Sequence, residues 1–263
     1  MELKWDRGPS SRVNRVFEQA PITEYSSKPH RFRLEWGPVF YRGRTDGSAR
    51  VLVIGQDPAA DENVARRTLV GTGGQRVQGF LFKLGITKSY VIINSFLYSI
   101  KGQFDEEMNE FVDQTEIKNW VNRLLNTLYT RHVQVILAFG QAARHVLDNW
   151  PPAVTLKESG VIVNLTHPTA RPESTVLQNW NSMIQSTAMK VTPDPDGVVD
   201  TSPYGSEFTN EDLKRIPLYD FPFGVPRWMG IGNMAIRWYT QNPPPTFRNN
   251  KSTIVFVALE ENG

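Results

Sequence analysis

The stretch Arg50-Val51-Leu52-Val53-Ile54-Gly55-Gln56-Asp57-Pro58-Ala59 decides how the chain is read. Four consecutive aliphatic residues, three of them β-branched, form the run expected of a strand buried on both faces inside a parallel sheet. Gly55 breaks the run, and Pro58 forbids its continuation as a strand or as a helix interior. Asp57 is thereby delivered on a stiff turn at the carboxyl end of a central strand, the edge where open α/β sheets bind ligands. An aspartate in such a turn can equally cap the next helix or close an Asx turn. The rest of the chain weighs between these roles.

Similar apolar runs recur downstream. Tyr90-Val91-Ile92-Ile93-Asn94, Val133 to Gly140 and Val161 to Thr166 read as three further buried strands. Between them lie segments with helical spacing. Val77, Phe80, Leu81, Leu84 and Ile86 form one, closed by Gly85. Residues 105–131 form another, with Phe111, Trp120, Leu124, Leu125 and Leu128 inward and acidic residues at its start. Gln141 to Trp150, stopped by Pro151-Pro152, and about 173–190, with Val176, Trp180, Met183 and Ile184, complete the set. Strands alternating with helices predict a three-layer α/β/α fold with a central four-stranded parallel sheet. Three of its strands end in Asp57, Asn94 and His167. A carboxylate, an amide and an imidazole on one edge suit a polar heterocycle or a hydrolytic reaction.

Composition sets outer limits. The chain has 263 residues, 40% hydrophobic and 11% aromatic, enough for a large core. It has no run of about 18 apolar residues, so no membrane span is expected, and Met1 to Asp6 lacks the apolar stretch of a signal peptide. A cytoplasmic location is expected. There are no cysteines, which removes disulfides, thiol catalysis and iron–sulfur clusters. The four histidines, His30, His132, His145 and His167, include no His-x-x-x-His pair, and neither metal nor cofactor is expected. Net charge is +2, but residues 191–263 carry 6 Lys/Arg against 9 Asp/Glu, and residues 1–190 carry 23 against 18. A mildly basic body suits a phosphate-bearing ligand; a solvated surface would carry the same balance.

The remaining segments are less regular. Residues 1–49 are polar, with a short helix expected from Ser10 to Phe17 under a Ser cap. The aromatics and arginines of Trp36 to Arg44 suit contact with nucleic acid or packing beneath the sheet. Residues 60–74 read as a polar loop ending in Val70-Gly71-Thr72-Gly73-Gly74. Its glycines allow close backbone approach, and the helix start after it offers free N–H groups to an anion. Residues 1–190 are thus read as one α/β domain and 191–263 as an aromatic-rich C-terminal extension packed on it. Within the extension, 191–212 reads as a surface loop and Thr253 to Leu259 as a strand that could join a sheet edge. Arg227-Trp228 and Arg237-Trp238-Tyr239 are candidates for contact with single-stranded DNA.

Gly55-Gln56-Asp57-Pro58 and His167-Pro168-Thr169-Ala170-Arg171, with Asn94 between them, resemble the motifs of the uracil-DNA glycosylase superfamily over roughly residues 50–185. The first motif is similar to that of the classical enzymes. The second, with Arg171-Pro172 and Gln178-Asn179-Trp180, is similar to that of the single-strand-selective monofunctional enzymes. The Gly-rich segment before its helix resembles a thermophilic bacterial branch whose four cluster-binding cysteines are absent here. A divergent bacterial member is the reading that fits all three.

The resemblance implies roles. Asp57 would orient or activate the attacking water and stabilise positive charge developing on the deoxyribose. His167 would donate to the uracil O2 as negative charge builds. Asn94 would read the edge of the flipped base, with main-chain N–H near Gln56 assisting. Gly71, Thr72, Gly73 and Thr169 would grip flanking phosphates, and Arg171 would act as the wedge that fills the vacated stack.

The chain departs from the family pattern at two positions. Ala59 stands where classical enzymes have the Tyr that blocks the thymine methyl, so a looser base range is expected. Leu69 is the nearest match to the base-stacking Phe, whose loss costs on the order of 1–3 kcal/mol. Leu69 itself, Phe80, Tyr98 or a residue of the extension is left to stack. The implied activity is removal of uracil from single- or double-stranded DNA by a cofactor-free monomer. The alternatives are a uracil-DNA-binding protein without turnover and a hydrolase of free nucleosides or nucleotides. Asp57 speaks against the first and Arg171 against the second.

Overall fold

A computed structural model of the chain describes residues 5–223 and the backbone of two strands, Ala235–Thr240 and Thr253–Ala258. The helices are α1 (Ser11–Phe17), α2 (Ile22–Ser26), α3 (Ala60–Ala65), α4 (Thr72–Lys83), α5 (Glu106–Asp113), α6 (Thr115–Leu128), α7 (Gly140–Asp148), α8 (Ala153–Glu158) and α9 (Glu173–Ala188). The strands of the main sheet are β1 (Arg42–Gly43), β2 (Val51–Gly55), β3 (Tyr90–Asn94), β4 (Val135–Phe139) and β5 (Ile162–Leu165), in the order β1-β3-β2-β4-β5.

The four strands expected from the apolar runs pair in parallel. A fifth strand, missed in sequence, runs antiparallel at the edge: Arg42 and Gly43 pair with Ile92 and Val91. Two residues carry no periodicity, so only the ladder reveals it. Beyond the main sheet, β6 (Ala235–Thr240) and β7 (Thr253–Ala258) form an antiparallel pair of their own, so the predicted C-terminal strand does not extend the main sheet. Arg227, Trp228 and the side chains of 237–239 lie outside the described residues.

Alternation along the strands builds two cores. Leu52, Ile54, Val91 and Ile93 face α5, α6 and α7, where Phe111, Trp120, Leu124 and Leu125 pack. Val51, Val53, Tyr90 and Ile92 face α4 and α9, packing with Phe80, Leu81 and Trp180. Both faces are therefore dry, the condition under which a strand reads as an unbroken apolar run. Each large apolar side chain buried there stabilises the fold by about 1.5–3 kcal/mol.

Three local expectations need correction. The helix expected over 105–131 is two helices that break at Gln114, whose ψ is 137°. Continuing the stripe of Met108, Phe111 and Val112 would bring polar Thr115, Lys118 and Asn122 to the core. A break resets the stripe on Ile117, Trp120 and Val121. Residues 60–65 are helical rather than loop. Ser10 precedes α1 without capping it, because its hydroxyl donates to the Thr45 carbonyl at 2.6 Å.

The segment after α9 is irregular but tightly held. Asp194, buried, accepts hydrogen bonds from the N–H groups of Thr87, Lys88 and Ser89 at 2.8–3.0 Å ahead of β3. Asp220 is fully buried and pairs with the equally buried Arg42 at 3.0 Å and with Arg44 at 2.6 Å; the Tyr90 hydroxyl donates to it at 2.5 Å. Tyr41 and Arg42 are thus packing groups rather than exposed contacts.

Candidate active site at the carboxyl edge of the sheet

From β2 the chain crosses to β3 on one side, then returns to place β4 and β5 on the other. The loops leaving β2 and β4 therefore diverge and open a crevice at the carboxyl end of the first central strand. A cavity of about 360 Å³ lies there, lined by Gln56, Asp57, Ala59, Asp61, Glu62, Leu69, Gly71, Thr72, Gly73, Gly74, His167 and Thr169. A second cavity of about 370 Å³, between α4 and residues 198–214, holds none of the strand-end groups, and its Lys83 is paired with Asp200 at 2.8 Å. The chemistry belongs to the first.

Asp57 is fixed from two directions. Its Oδ1 accepts from the Gln56 amide at 3.0 Å and its Oδ2 from the Ile100 N–H at 2.9 Å. Burial raises its pKa from 3.8 to about 6, against the lowering effect of those two bonds and with a further upward push from Glu62. It is thus neither a helix cap nor an Asx turn: its oxygens accept from the neighbouring Gln56 side chain and from a main-chain N–H of the loop beyond β3.

His167 follows β5. Burial lowers its pKa from 6.5 to about 4, so it is neutral at physiological pH. Its Nδ1 accepts from the Thr169 N–H at 3.4 Å and lies 3.1 Å from the Thr169 hydroxyl. This assigns the proton to Nε2.

Asn94, at the end of β3, is 7% exposed, and neither its Oδ1 nor its Nδ2 has a hydrogen-bond partner. An unpaired buried amide costs roughly 1–3 kcal/mol, and a partner that supplied both a donor and an acceptor would recover that cost. It pairs laterally with Gly55, beneath Leu69 rather than on the cavity wall.

Leu69 adopts a left-handed backbone conformation, φ 50°, and its side chain lies against Gly55. Its carbonyl lies where a Cβ on residue 74 would approach to 1.8 Å, so only glycine fits at the first turn of α4. Gly71, Thr72 and Gly73 present the start of this 12-residue helix to the cavity, and Thr169 packs on Gly73 from the His167 loop. Phe80 is sealed in the core against Phe139 and Trp180, and Tyr98 packs on Tyr25. Of the candidates for stacking among the described residues, Leu69 is the one at the cavity.

Gln56, Asp57, Ala59, Leu69, Gly71, Thr72, Gly73, His167 and Thr169 are therefore brought together on one cavity, with Asn94 just behind Leu69. Arg171 stands apart: its side chain is 79% exposed and 3.8 Å from Glu173. Sequence reasoning missed Asp61 and Glu62, which also line the cavity, as does Gly74 of the Gly-rich segment. Ala59-Ala60-Asp61-Glu62 after Pro58, with acids in a first turn, was the available signal. Among the described residues no group of three or more His, Asp or Glu is placed to hold a metal ion, and no helix is long and apolar enough to cross a membrane.

A comparison with curated proteins finds no match. The family model of the uracil DNA glycosylase superfamily matches residues 42–187. That span runs from β1 to the end of α9 and contains every residue of the strand-end cavity. Because that match covers more than half of the 263 residues, the chain belongs to the uracil DNA glycosylase superfamily.

Proposed function

We propose that the chain is a monofunctional glycosylase that flips uracil out of DNA and hydrolyses its N-glycosidic bond, leaving an abasic site for base excision repair. Family membership supports a DNA-directed glycosylase. One observation carries the finer reading: a buried amide without a partner, Asn94, beside a carboxylate of raised pKa, Asp57, at adjacent strand ends. A uracil edge offers both the acceptor and the donor that such an amide needs.

In this reading the base enters against Leu69 and pairs with Asn94. Water adds to the anomeric carbon as the bond to the base breaks. Ionised Asp57 stabilises the positive sugar, holds that water and takes the proton it sheds as the new C–O bond forms, the departing base anion being the final proton acceptor. The base leaves as an anion, and the Nε2–H of neutral His167 donates to its O2. Gly71, Thr72, Gly73 and Thr169 hold the phosphates, Arg171 fills the gap in the stack, and Ala59 leaves room at the base's C5 edge. The protein acts as a monomer in the cytoplasm, at the nucleoid. Residues 1–190 form the catalytic unit, with 191–263 as its extension.

The test is incubation of the purified protein, with EDTA, on labelled oligonucleotides holding one uracil, single-stranded or opposite G or A, followed by alkali. Alkali-dependent cleavage at the uracil is expected. A retarded uracil-specific complex without cleavage would convert the enzyme into a binding protein. Inertness on every oligonucleotide would point to free nucleosides.

A further inference from the structure

Glu62 sits where two segments of the cavity wall meet. Its side chain is buried, with the residue 5% exposed, and it accepts three main-chain hydrogen bonds. Oε2 takes the Ala59 N–H at 2.9 Å; Oε1 takes those of Val70 at 2.7 Å and Gly71 at 2.9 Å. Ala59 belongs to the turn after Asp57, whereas Val70 and Gly71 lead from Leu69 into α4. One anion therefore holds both shoulders of the cavity.

Capping α3 explains only the first bond. A glutamate in the first turn commonly reaches back to the N-cap N–H, but capping does not require it to reach eight and nine residues forward. Those forward bonds fall immediately after Leu69, which carries the left-handed backbone. For a non-glycine residue that conformation costs on the order of 1 kcal/mol or more and persists only where its surroundings over-determine it. Charge-assisted bonds to the next two N–H groups do so.

We propose that Glu62 is a positioning residue for the glycosylase reaction: by clamping Ala59, Val70 and Gly71 it holds Leu69 over Gly55 and Asn94 and keeps the Asp57 turn in register with the start of α4. This rests on the cavity being the base pocket, as proposed above. The clamp also places a negative charge near Asp57. The other groups around Asp57 are the Gln56 amide and Ile100 N–H, which donate to it, and Asp61 and neutral His167 on the same cavity. Glu62 is the charge that works against ionisation of Asp57.

The experiment compares the wild type with Glu62→Gln and Glu62→Ala in the full chain. Hydrogen exchange is read on peptides covering 59 and 70–71, together with kcat, KM and their pH dependence on a uracil-containing oligonucleotide. Glu62→Gln is near-isosteric and keeps one acceptor oxygen; Glu62→Ala keeps none. Exchange at 59 and 70–71 should rise from wild type to Gln to Ala. The kcat/KM should fall by roughly tenfold for Gln and on the order of 10²-fold for Ala, as expected when a wall shifts by about 1 Å. The acidic limb of the Gln variant should move to lower pH, which a merely structural brace would not produce. Unchanged exchange in Glu62→Ala, or an activity loss in folded Glu62→Gln with KM and limb both unmoved, would overturn the proposal. A wild type that cleaves no oligonucleotide would instead remove the base-pocket reading, and exchange alone would then decide whether the clamp exists.

Discussion

Gly55 and Asn94 sit side by side on β2 and β3 so closely that a Cβ on residue 55 would lie 2.6 Å from the Asn94 Oδ1 and 3.2 Å from the Leu69 Cδ1. Glycine there is what leaves room for the buried amide beside the Leu69 side chain. Gly55→Ala is therefore expected to fold, with overpacking of about 1–3 kcal/mol, but to displace the amide. Steady-state kinetics should show KM for uracil-containing DNA rising well beyond any change in kcat. An unaltered KM would separate Asn94 from base recognition.

The Asp57 turn makes activity and stability respond oppositely to pH. The reaction as proposed needs Asp57 ionised, so kcat/KM should fall tenfold per unit below about pH 6. His167, with its pKa near 4, adds no limb in the neutral range. For stability, the folded chain holds the Asp57 proton more tightly than the unfolded chain. Its contribution is thus present below pH 3.8 and lost as pH rises through about 6. His167 runs the other way: its contribution is present above pH 6.5 and lost as pH falls through about 4. Asp57→Asn should lower turnover by roughly 10²-fold or more, yet melt above the wild type at pH 7–8, the gap closing near pH 4. A variant melting below the wild type at pH 8 would contradict the burial argument.

Asp220 and Arg42 form a buried pair 178 residues apart. Asp220→Ala leaves Arg42 buried without its anion, a loss of about 3–5 kcal/mol. For a domain of this size that lowers Tm by roughly 10 °C. Thermal unfolding of the full chain measures it. A shift of a degree or two would make the pair incidental.

Arg171 stands out from the cavity at 79% side-chain exposure. Arg171→Ala should weaken cleavage of duplex more than of single-stranded substrate, because only a duplex stack needs filling. Equal losses on both substrates would remove the wedge role.

Ala59 lines the cavity between Asp57 and Asp61. Ala59→Tyr should narrow the base range, read as a larger loss on 5-substituted uracils than on uracil itself. The same ratio for both would place the C5 edge elsewhere.

Local pattern alone determined much of this molecule. Apolar runs with both faces buried announce β2, β3, β4 and β5 in sequence, and the residues that end them are legible because glycine, proline and polar side chains stop a strand by covalent geometry and solvation. Asp57, Asn94 and His167 could be named on that basis as candidates on one edge. What only the tertiary structure decided are relationships between groups far apart in sequence. The two-residue edge strand β1 exists through its ladder with β3. The break at Gln114 reflects which stripe of a helix meets the core. Asp220 becomes the partner of Arg42, and Glu62 reaches Val70 and Gly71, by packing that no spacing rule encodes. The same holds for the unpaired amide of Asn94 and the raised pKa of Asp57. Burial and desolvation are properties of the assembled interior, and a sequence names the group without stating how much water it has lost.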